Sequence, residues 1–302
     1  MRARRCCLSV PGSSAKMIAK ARALAVDEVI IDLEDSVPPD HKDRARLTVI
    51  EALADGDWAA PTIGVRINAT HTRWCHRDVI ELIEGAGRLA ALVVPKVQGA
   101  GDVEFVARLA SMVEEECSAE RPVGLELLIE TATGLAHVHE AAAASDRVQA
   151  LIVGYADLAA SLGRPVAVAE DPDAIHWRWV LETVLVAARA LGVQAIDGPH
   201  FEIADLEGLR ARAKLTRTLG YDGKWALHPT QIEPLEDVFS PTEEELDRAS
   251  AILAELEGAA TDRGRGAVLF EGAMIDEASR KQAAAMVARG RAGERSGAGG
   301  GW

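Results

Sequence analysis

Residues 125–163 read LELLIETATGLAHVHEAAAASDRVQALIVGYADLAASLG, and two apolar runs within them each end in a carboxylate. Leu125 to Ile129 lead into Glu130, and Ala150 to Val153 lead through Gly154-Tyr155-Ala156 into Asp157, with an alanine-rich helical segment between. Short β-branched and leucine-rich runs bounded by turn residues predict buried parallel strands, and a crossover helix brings their carboxyl ends to one edge of a sheet. Glu130 and Asp157 are then neighbours. With no Lys or Arg beside them in sequence, two such acids repel unless a cation separates them, which points to a divalent metal. Mg²⁺ suits this best, with Mn²⁺ as a substitute, because it keeps several waters and needs only one or two carboxylates. The plainer reading, N-capping and solvation at strand-to-helix turns, stays open.

Outward from this stretch, strand-like runs recur at Cys6 to Val10, Glu28 to Leu33, Thr62 to Ile67, Leu92 to Pro95, Gln194 to Ile196 and Gly223 to Leu227, making eight with the two above. Between them, Ala15 to Ala25, Lys42 to Ala54, Val103 to Glu116, Trp177 to Leu191 and Leu206 to Leu219 carry helical spacing of Ala and Leu. Eight strand–helix repeats in about 230 residues predict a (β/α)8 TIM barrel over 1–240. An open doubly wound sheet is the alternative, but no G-x-G-x-x-G follows the first strand.

A barrel places its chemistry at the carboxyl ends of its strands. There the sequence puts Asp32, Glu34 and Asp35; Arg66 and Asn68; Lys96; Glu130; Asp157; Asp197; and His228. Arg66 ends a buried strand, where an unpaired guanidinium is expensive. A salt bridge to Glu34 or Asp35 would anchor it and still leave donors for a substrate carboxylate or carbonyl. Lys96 reads as a surface-snorkelling side chain rather than a Schiff-base lysine. His137 and His139, two residues apart on a helix, point to different faces and make no metal pair. His228, before Pro229, reads as a strand-end hydrogen-bonding residue. Pro11-Gly12-Ser13-Ser14 opens a helix bearing Lys16 and Lys20 on one face and Arg22 further round, which suits phosphate groups or, more plainly, a solvated face.

Past the eighth strand, Thr242 and Glu245 form a capping box that starts a helix to Glu257. A Gly-rich connector, 258–266, and the run AVLFEGAMID, 267–276, lead into a last helix. Residues 241–289 are therefore a helical extension that covers the barrel mouth or meets a neighbouring subunit, and the Gly-rich 290–302 reads as a flexible tail.

The net charge of −14, from 33 basic and 47 acidic side chains, argues against nucleic acid or an anionic membrane as a main partner. Cys6, Cys7, Cys75 and Cys117 show neither zinc spacing nor a disulfide framework. The apolar run before Pro11 is too short for a signal peptide, and nothing approaches a transmembrane length. The expectation is a cytoplasmic protein.

Eight ordered motifs resemble the citrate lyase β-subunit-like family of acyl-CoA lyases, within the HpcH/HpaI aldolase superfamily. They are SVPGSSAKM (9–17), VIIDLEDSV (29–37), VRIN (65–68), VVPKV (93–97), LLIETATG (127–134), GYADLAASLG (154–163), AIDGPHFEIADLEGL (195–209) and GYDGKWALHPTQI (220–232). The resemblance spans nearly the whole chain. It implies a Mg²⁺-dependent TIM barrel, a homotrimer or dimer of trimers, that makes or breaks a carbon–carbon bond next to a CoA thioester. It implies that Glu130 and Asp157 bind Mg²⁺, that Arg66 contacts the oxo-acid and thioester oxygens with Glu34 orienting it, and that Gly154-Tyr155-Ala156 lines the oxo-acid pocket. CoA phosphates would meet Lys16, Lys20 or Arg22. FEGAMID resembles the family's C-terminal extension, whose acid, Asp276 here, reaches the next subunit's site; this favours the malyl-CoA or citramalyl-CoA lyase branch over a citryl-CoA lyase. A malyl-CoA thioesterase and a non-enzymatic binder are the other readings.

Overall fold

The computed structural model describes residues 2–54, 56–165, 176–263 and 266–297. Eight parallel strands, β1 (Cys6–Pro11), β2 (Glu28–Asp32), β3 (Thr62–Arg66), β4 (Ala91–Val94), β5 (Gly124–Ile129), β6 (Val148–Val153), β7 (Gln194–Asp197) and β8 (Gly223–Ala226), pair in sequence order. β8 returns to pair with β1 and closes the barrel, as the alternating strand–helix pattern predicts. Around it run α1 (Ala15–Ala21), α2 (Lys42–Ala54), α3 (Cys75–Gly85), α4 (Ala100–Glu116), α5 (Ala132–Ala136), α6 (Val138–Ala143), α7 (Tyr155–Ser161), α8 (Arg178–Leu191), α9 (Leu206–Leu219) and α10 (Ile232–Phe239). The helix expected between β5 and β6 is two helices, because His137 leaves the helical region at φ −112°, ψ 19°.

Side chains alternate across the barrel wall with period two. The inward residues stack in three tiers. The middle tier is apolar, with Ile30, Leu128, Ile152, Ile196 and Trp225 packed together along the axis. Two residues earlier on β2 and β5 come Glu28 and Glu126, fully buried and tied to Arg4, whose Nε lies 3.0 Å from Glu28 Oε2 and whose Nη2 lies 2.8 Å from Glu126 Oε1. Arg4 also donates to Gln194 and Gln149 at 2.6 and 2.8 Å, so a charged plug seals the amino-terminal end. Burial, and then the charge of Glu126, push Glu28 up to about 8. Two residues later on the same strands come Asp32 and Glu130, which open the carboxyl-terminal tier. The outward side chains, Val29, Ile31, Leu127 and Leu151 among them, meet the helices in the main core.

The chain divides into two compact units, Arg4–Phe239 and a second containing everything from Ser240 on. In the second, α11 (Glu243–Arg263) starts at the expected capping box: Thr242 N donates to Glu245 Oε2 at 2.8 Å and Glu245 N to Thr242 Oγ1 at 3.1 Å. A hairpin, β9 (Val268–Phe270) and β10 (Ala273–Ile275), turns through Glu271 and Gly272, both at positive φ. Two sequence expectations change. α11 runs through the supposed connector to Arg263, and α12 (Glu277–Gly297) extends into the supposed tail. Gly290 does not break α12; it lets it approach α11, since a Cβ there would lie 2.8 Å from Leu246 Cδ2. Residues 298–302 of that tail lie outside the described residues.

Candidate active site

β2 and β3 place Asp32 directly opposite Arg66 in their register. Arg66 Nε and Nη2 donate to Asp32 Oδ1 and Oδ2 at 2.6 and 2.7 Å, a bidentate pair almost wholly out of solvent. Asp32 also accepts the backbone N–H groups of Glu34 and Ser36 at 2.8 and 3.0 Å. Burial opposes the charge on Asp32, but Arg66 and these donors outweigh it and hold the carboxyl below its usual range. The anchor of Arg66 is therefore Asp32; Glu34 is a secondary partner, with Oε2 3.3 Å from Arg66 Nη1.

Glu130 follows β5, inward and 2 % exposed. Its Oε1 accepts the N–H of Lys96 at 2.8 Å. Its Oε2 lies against Gly154, where a Cβ would come within 2.6 Å of it, so glycine is required for the carboxylate to sit there. Gly154 N donates to Ile129 O at 3.1 Å, locking the ends of β5 and β6 together. Asp157 stands in the first turn of α7 with its side chain 40 % exposed. Burial raises Glu130 to about 8, helped by the charges of Asp157 and Glu34 and opposed by Arg66. A buried carboxylate so destabilised in its charged form is what a cation would relieve.

Lys96 occupies the left-handed region at φ 51°, which aims its N–H at Glu130 while its ammonium bridges Glu34 and Asp35 and lies 3.9 Å from Asp157 Oδ1. Its ion pairs raise its pKa against the effect of burial, so the Schiff-base alternative lacks the desolvated, neutral amine it needs. The five carboxylates Asp32, Glu34, Asp35, Glu130 and Asp157 still outnumber Arg66, Lys96 and Lys42, whose Nζ is held by the carbonyls of Leu33 and Glu34. Among the described residues no three His, Cys, Asp or Glu side chains converge as a ready-made metal cage. The donors fit Mg²⁺ held by Glu130 and Asp157, its remaining positions left to water and substrate.

Of these groups, Asp35, Arg66, Glu130 and Asp157 line a cavity of about 180 Å³. Ser9, Arg66, Glu130 and Asp157 give it polar walls; Leu128, Pro199, Phe201 and Trp225 close its apolar side. Gly154 and Ala156 line it too. Tyr155 is also at the lining, but its side chain is buried and its hydroxyl donates to Asp197. Lys16 and Lys20 are exposed on α1, whereas Arg22 lies over the Trp58 ring at 5.7 Å and donates to Ala52 O at 3.3 Å. None of the three lines this cavity. His228 caps the turn after β8, accepting from Thr230 N at 3.3 Å. In the second unit Asp276 is exposed and caps α12, accepting Ala278 N at 2.9 Å. The sequence places Asp32 on the rim but leaves the anchoring of Arg66 to Glu34 or Asp35, and it does not single out Ser9, Phe201 or Trp225; the register opposite Arg66 is the available signal for Asp32.

A closed parallel barrel whose carboxyl-terminal rim gathers an anchored arginine and several carboxylates has the layout of a (β/α)8-barrel enzyme site. A model of the HpcH/HpaI aldolase/citrate lyase family matches residues 5–229, and the chain belongs to that family. An L-malyl-CoA/beta-methylmalyl-CoA lyase of Cereibacter sphaeroides (strain ATCC 17025) is 42% identical over 300 residues, 95% of this chain and 94% of the relative. A (3S)-malyl-CoA thioesterase of Cereibacter sphaeroides (strain KD131) is 34% identical over 269 residues, 89% and 88% of the two chains. A solved structure of the protein CitE from Mycobacterium tuberculosis, in complex with magnesium, acetoacetate and coenzyme A, is 32% identical with a TM-score of 0.76, covering 95% of this chain and 97% of that one.

Proposed function

We propose that this protein is a Mg²⁺-dependent lyase that reversibly cleaves a 3-hydroxy-carboxyacyl-CoA of the malyl-CoA or citramalyl-CoA type into acetyl-CoA and a 2-oxo acid. The observation that carries the reading is the meeting of Arg66, fixed by Asp32, with Glu130 and Asp157 around one small cavity. The malyl-CoA lyase relative at 42% identity supports it. Among the described residues, Arg66 is the cation lining the cavity, while Asp35, Glu130 and Asp157 are acidic. A second carboxylate on the oxo acid would face these acids, and Lys96 Nζ, 3.9 Å from Asp157 Oδ1, is already held by Glu34 and Asp35, so the wall chemistry favours glyoxylate or pyruvate over oxaloacetate.

Glu130 and Asp157 would hold Mg²⁺, which when bound would supply Lewis-acid chemistry for the oxo-acid oxygens. Arg66 presents Nη1, shared with Glu34 Oε2 at 3.3 Å, where the thioester enolate develops negative charge, and its bidentate hold on Asp32 removes the need to reorganise. Leu128, Phe201 and Trp225 exclude water from that charge. Asp276, from a neighbouring subunit of a homotrimer or dimer of trimers, moves the proton at the acetyl carbon. Lys16 and Lys20 offer exposed charges for the CoA phosphates, with Arg22 turned toward Trp58. Among the described residues no helix is long and apolar enough to cross a membrane; a cytoplasmic location completes the proposal.

The test is a panel of acetyl-CoA and propionyl-CoA with glyoxylate, pyruvate and oxaloacetate, with Mg²⁺ and with chelator, following thiol release beside oxo-acid release. Mg²⁺-dependent condensation supports the lyase. Net release of free CoA identifies a thioesterase, the activity named for the 34% relative. Inertness toward every thioester revives the binder.

A further inference from the structure

Asp157 stands apart from the rest of the rim in how little holds its side chain. Asp32 is fixed by Arg66 and two backbone donors, and Glu130 by Lys96 and the wall of Gly154. The Asp157 carboxylate has, among the described residues, a single ion-pair partner, Lys96 Nζ at 3.9 Å. Its position is set by its backbone, the first turn of α7, and that turn is fastened two residues upstream.

The fastening is Tyr155. With Gly154 facing the barrel interior, Tyr155 points outward through the wall into the layer between strands and helices, where it is 1 % exposed. Its hydroxyl donates to Asp197 Oδ1, and Lys224 Nζ donates to Asp197 Oδ2 at 2.6 Å and to Gly198 O. Asp197 and Lys224 are partners in the β7–β8 register and both fully buried. Trp177 meets the ring edge-on at 5.0 Å, and the Arg212 guanidinium lies 4.8 Å from its centroid. Gly198 leaves no slack, since a Cβ there would fall 2.8 Å from the ring. A buried ion pair gives little net stability over an apolar pair of the same size, but it fixes one geometry.

We infer that Tyr155, gripped by the Asp197–Lys224 pair, is a positioning residue that holds Asp157 at the distance from Glu130 needed to bind the metal. The inference rests on the metal assignment under Proposed function. Tyr155 touches no substrate through its hydroxyl; it acts through the turn that carries Asp157. The polar anchor lies behind the barrel wall, where substrate and solvent do not reach it.

Mn²⁺ binding to the full-length protein, read from the electron paramagnetic resonance signal of the free ion, tests this without turnover. Wild type, Tyr155→Phe, Lys224→Met and Asp157→Ala are titrated, with melting temperatures in parallel. Tyr155→Phe keeps the ring and loses the hydroxyl, with its bond to Asp197 and its contact with Arg212. Mn²⁺ affinity about 10-fold weaker in this variant, with Lys224→Met weakened alongside, is the expected result. Wild-type affinity in Tyr155→Phe, whatever its melting temperature, while Asp157→Ala loses the ion, overturns the positioning role and leaves the metal site standing. Unchanged binding in Asp157→Ala overturns the metal assignment and this inference with it.

Discussion

Asp32 and Arg66 face each other across neighbouring parallel strands and meet through two hydrogen bonds of 2.6 and 2.7 Å. The pair aims the guanidinium into the cavity while Asp32 stays behind it. Asp32→Asn keeps the shape but replaces an acceptor by a donor against Arg66. We expect kcat to fall about 100-fold with little change in the Mg²⁺ requirement, since a misplacement of about 1 Å carries a cost of that size. Steady-state kinetics over a Mg²⁺ series check it; wild-type kcat would show that Glu34 suffices as the anchor.

Glu130 and Gly154 make a second test. An alanine at 154 would push its Cβ to 2.6 Å from Glu130 Oε2. Gly154→Ala should raise the half-saturating Mg²⁺ concentration about 10-fold or more while far-UV circular dichroism stays native. A Mg²⁺ curve that overlays wild type would separate Glu130 from the metal.

If Asp276 serves a neighbouring chain's site, then inactive Asp276→Ala and inactive Arg66→Ala chains complement each other. Co-refolding the two should restore measurable turnover from sites that combine one intact half of each. Mixed oligomers confirmed by native mass spectrometry yet wholly inactive would confine Asp276 to its capping of α12.

The barrel plug predicts a pH effect far from the cleft. Glu28, raised to about 8 by burial and Glu126, keeps a proton in the folded state that the unfolded chain releases near pH 4.5. Between those values the folded state binds more protons, so stability falls as pH rises, by up to about 1.4 kcal/mol per unit for a single group. Glu28→Gln should remove that part of the slope. Urea unfolding from pH 5 to 8 measures it, and parallel curves for both proteins would mean that Glu28 is charged in the fold.

The strands and the rim were readable because period-two burial and strand-end chemistry are local. Glu130 and Asp157 are legible in residues 125–163, where the β5–β6 pairing and the turn into α7 put both just past the ends of neighbouring strands. Asp32 is legible on the rim but not as the anchor, because Glu34 and Asp35 beside it look equally able to reach Arg66; the β2–β3 register, which sets Asp32 against Arg66, singles it out. Tyr155 does line the cavity, but that its hydroxyl reaches away to Asp197 is not legible, because sequence does not reveal that Gly154 turns inward and sends its neighbour through the wall. The helical run past Gly290 was missed because glycine lowers helix propensity, and only the close approach of Leu246 explains it.

The plug of Arg4, Glu28 and Glu126 has a kinetic consequence. With the amino-terminal end sealed by buried charge, everything must enter and leave by the opposite mouth. If the oxo acid lies beneath the thioester, on the metal carboxylates, its exit is blocked until acetyl-CoA has gone. Cleavage then runs as an ordered release, thioester first, and condensation loads in the reverse order. Product-inhibition patterns read that sequence directly: competitive inhibition of cleavage by the oxo acid and noncompetitive inhibition by acetyl-CoA are expected, and the opposite pattern would mean that the thioester reaches its place before the acid.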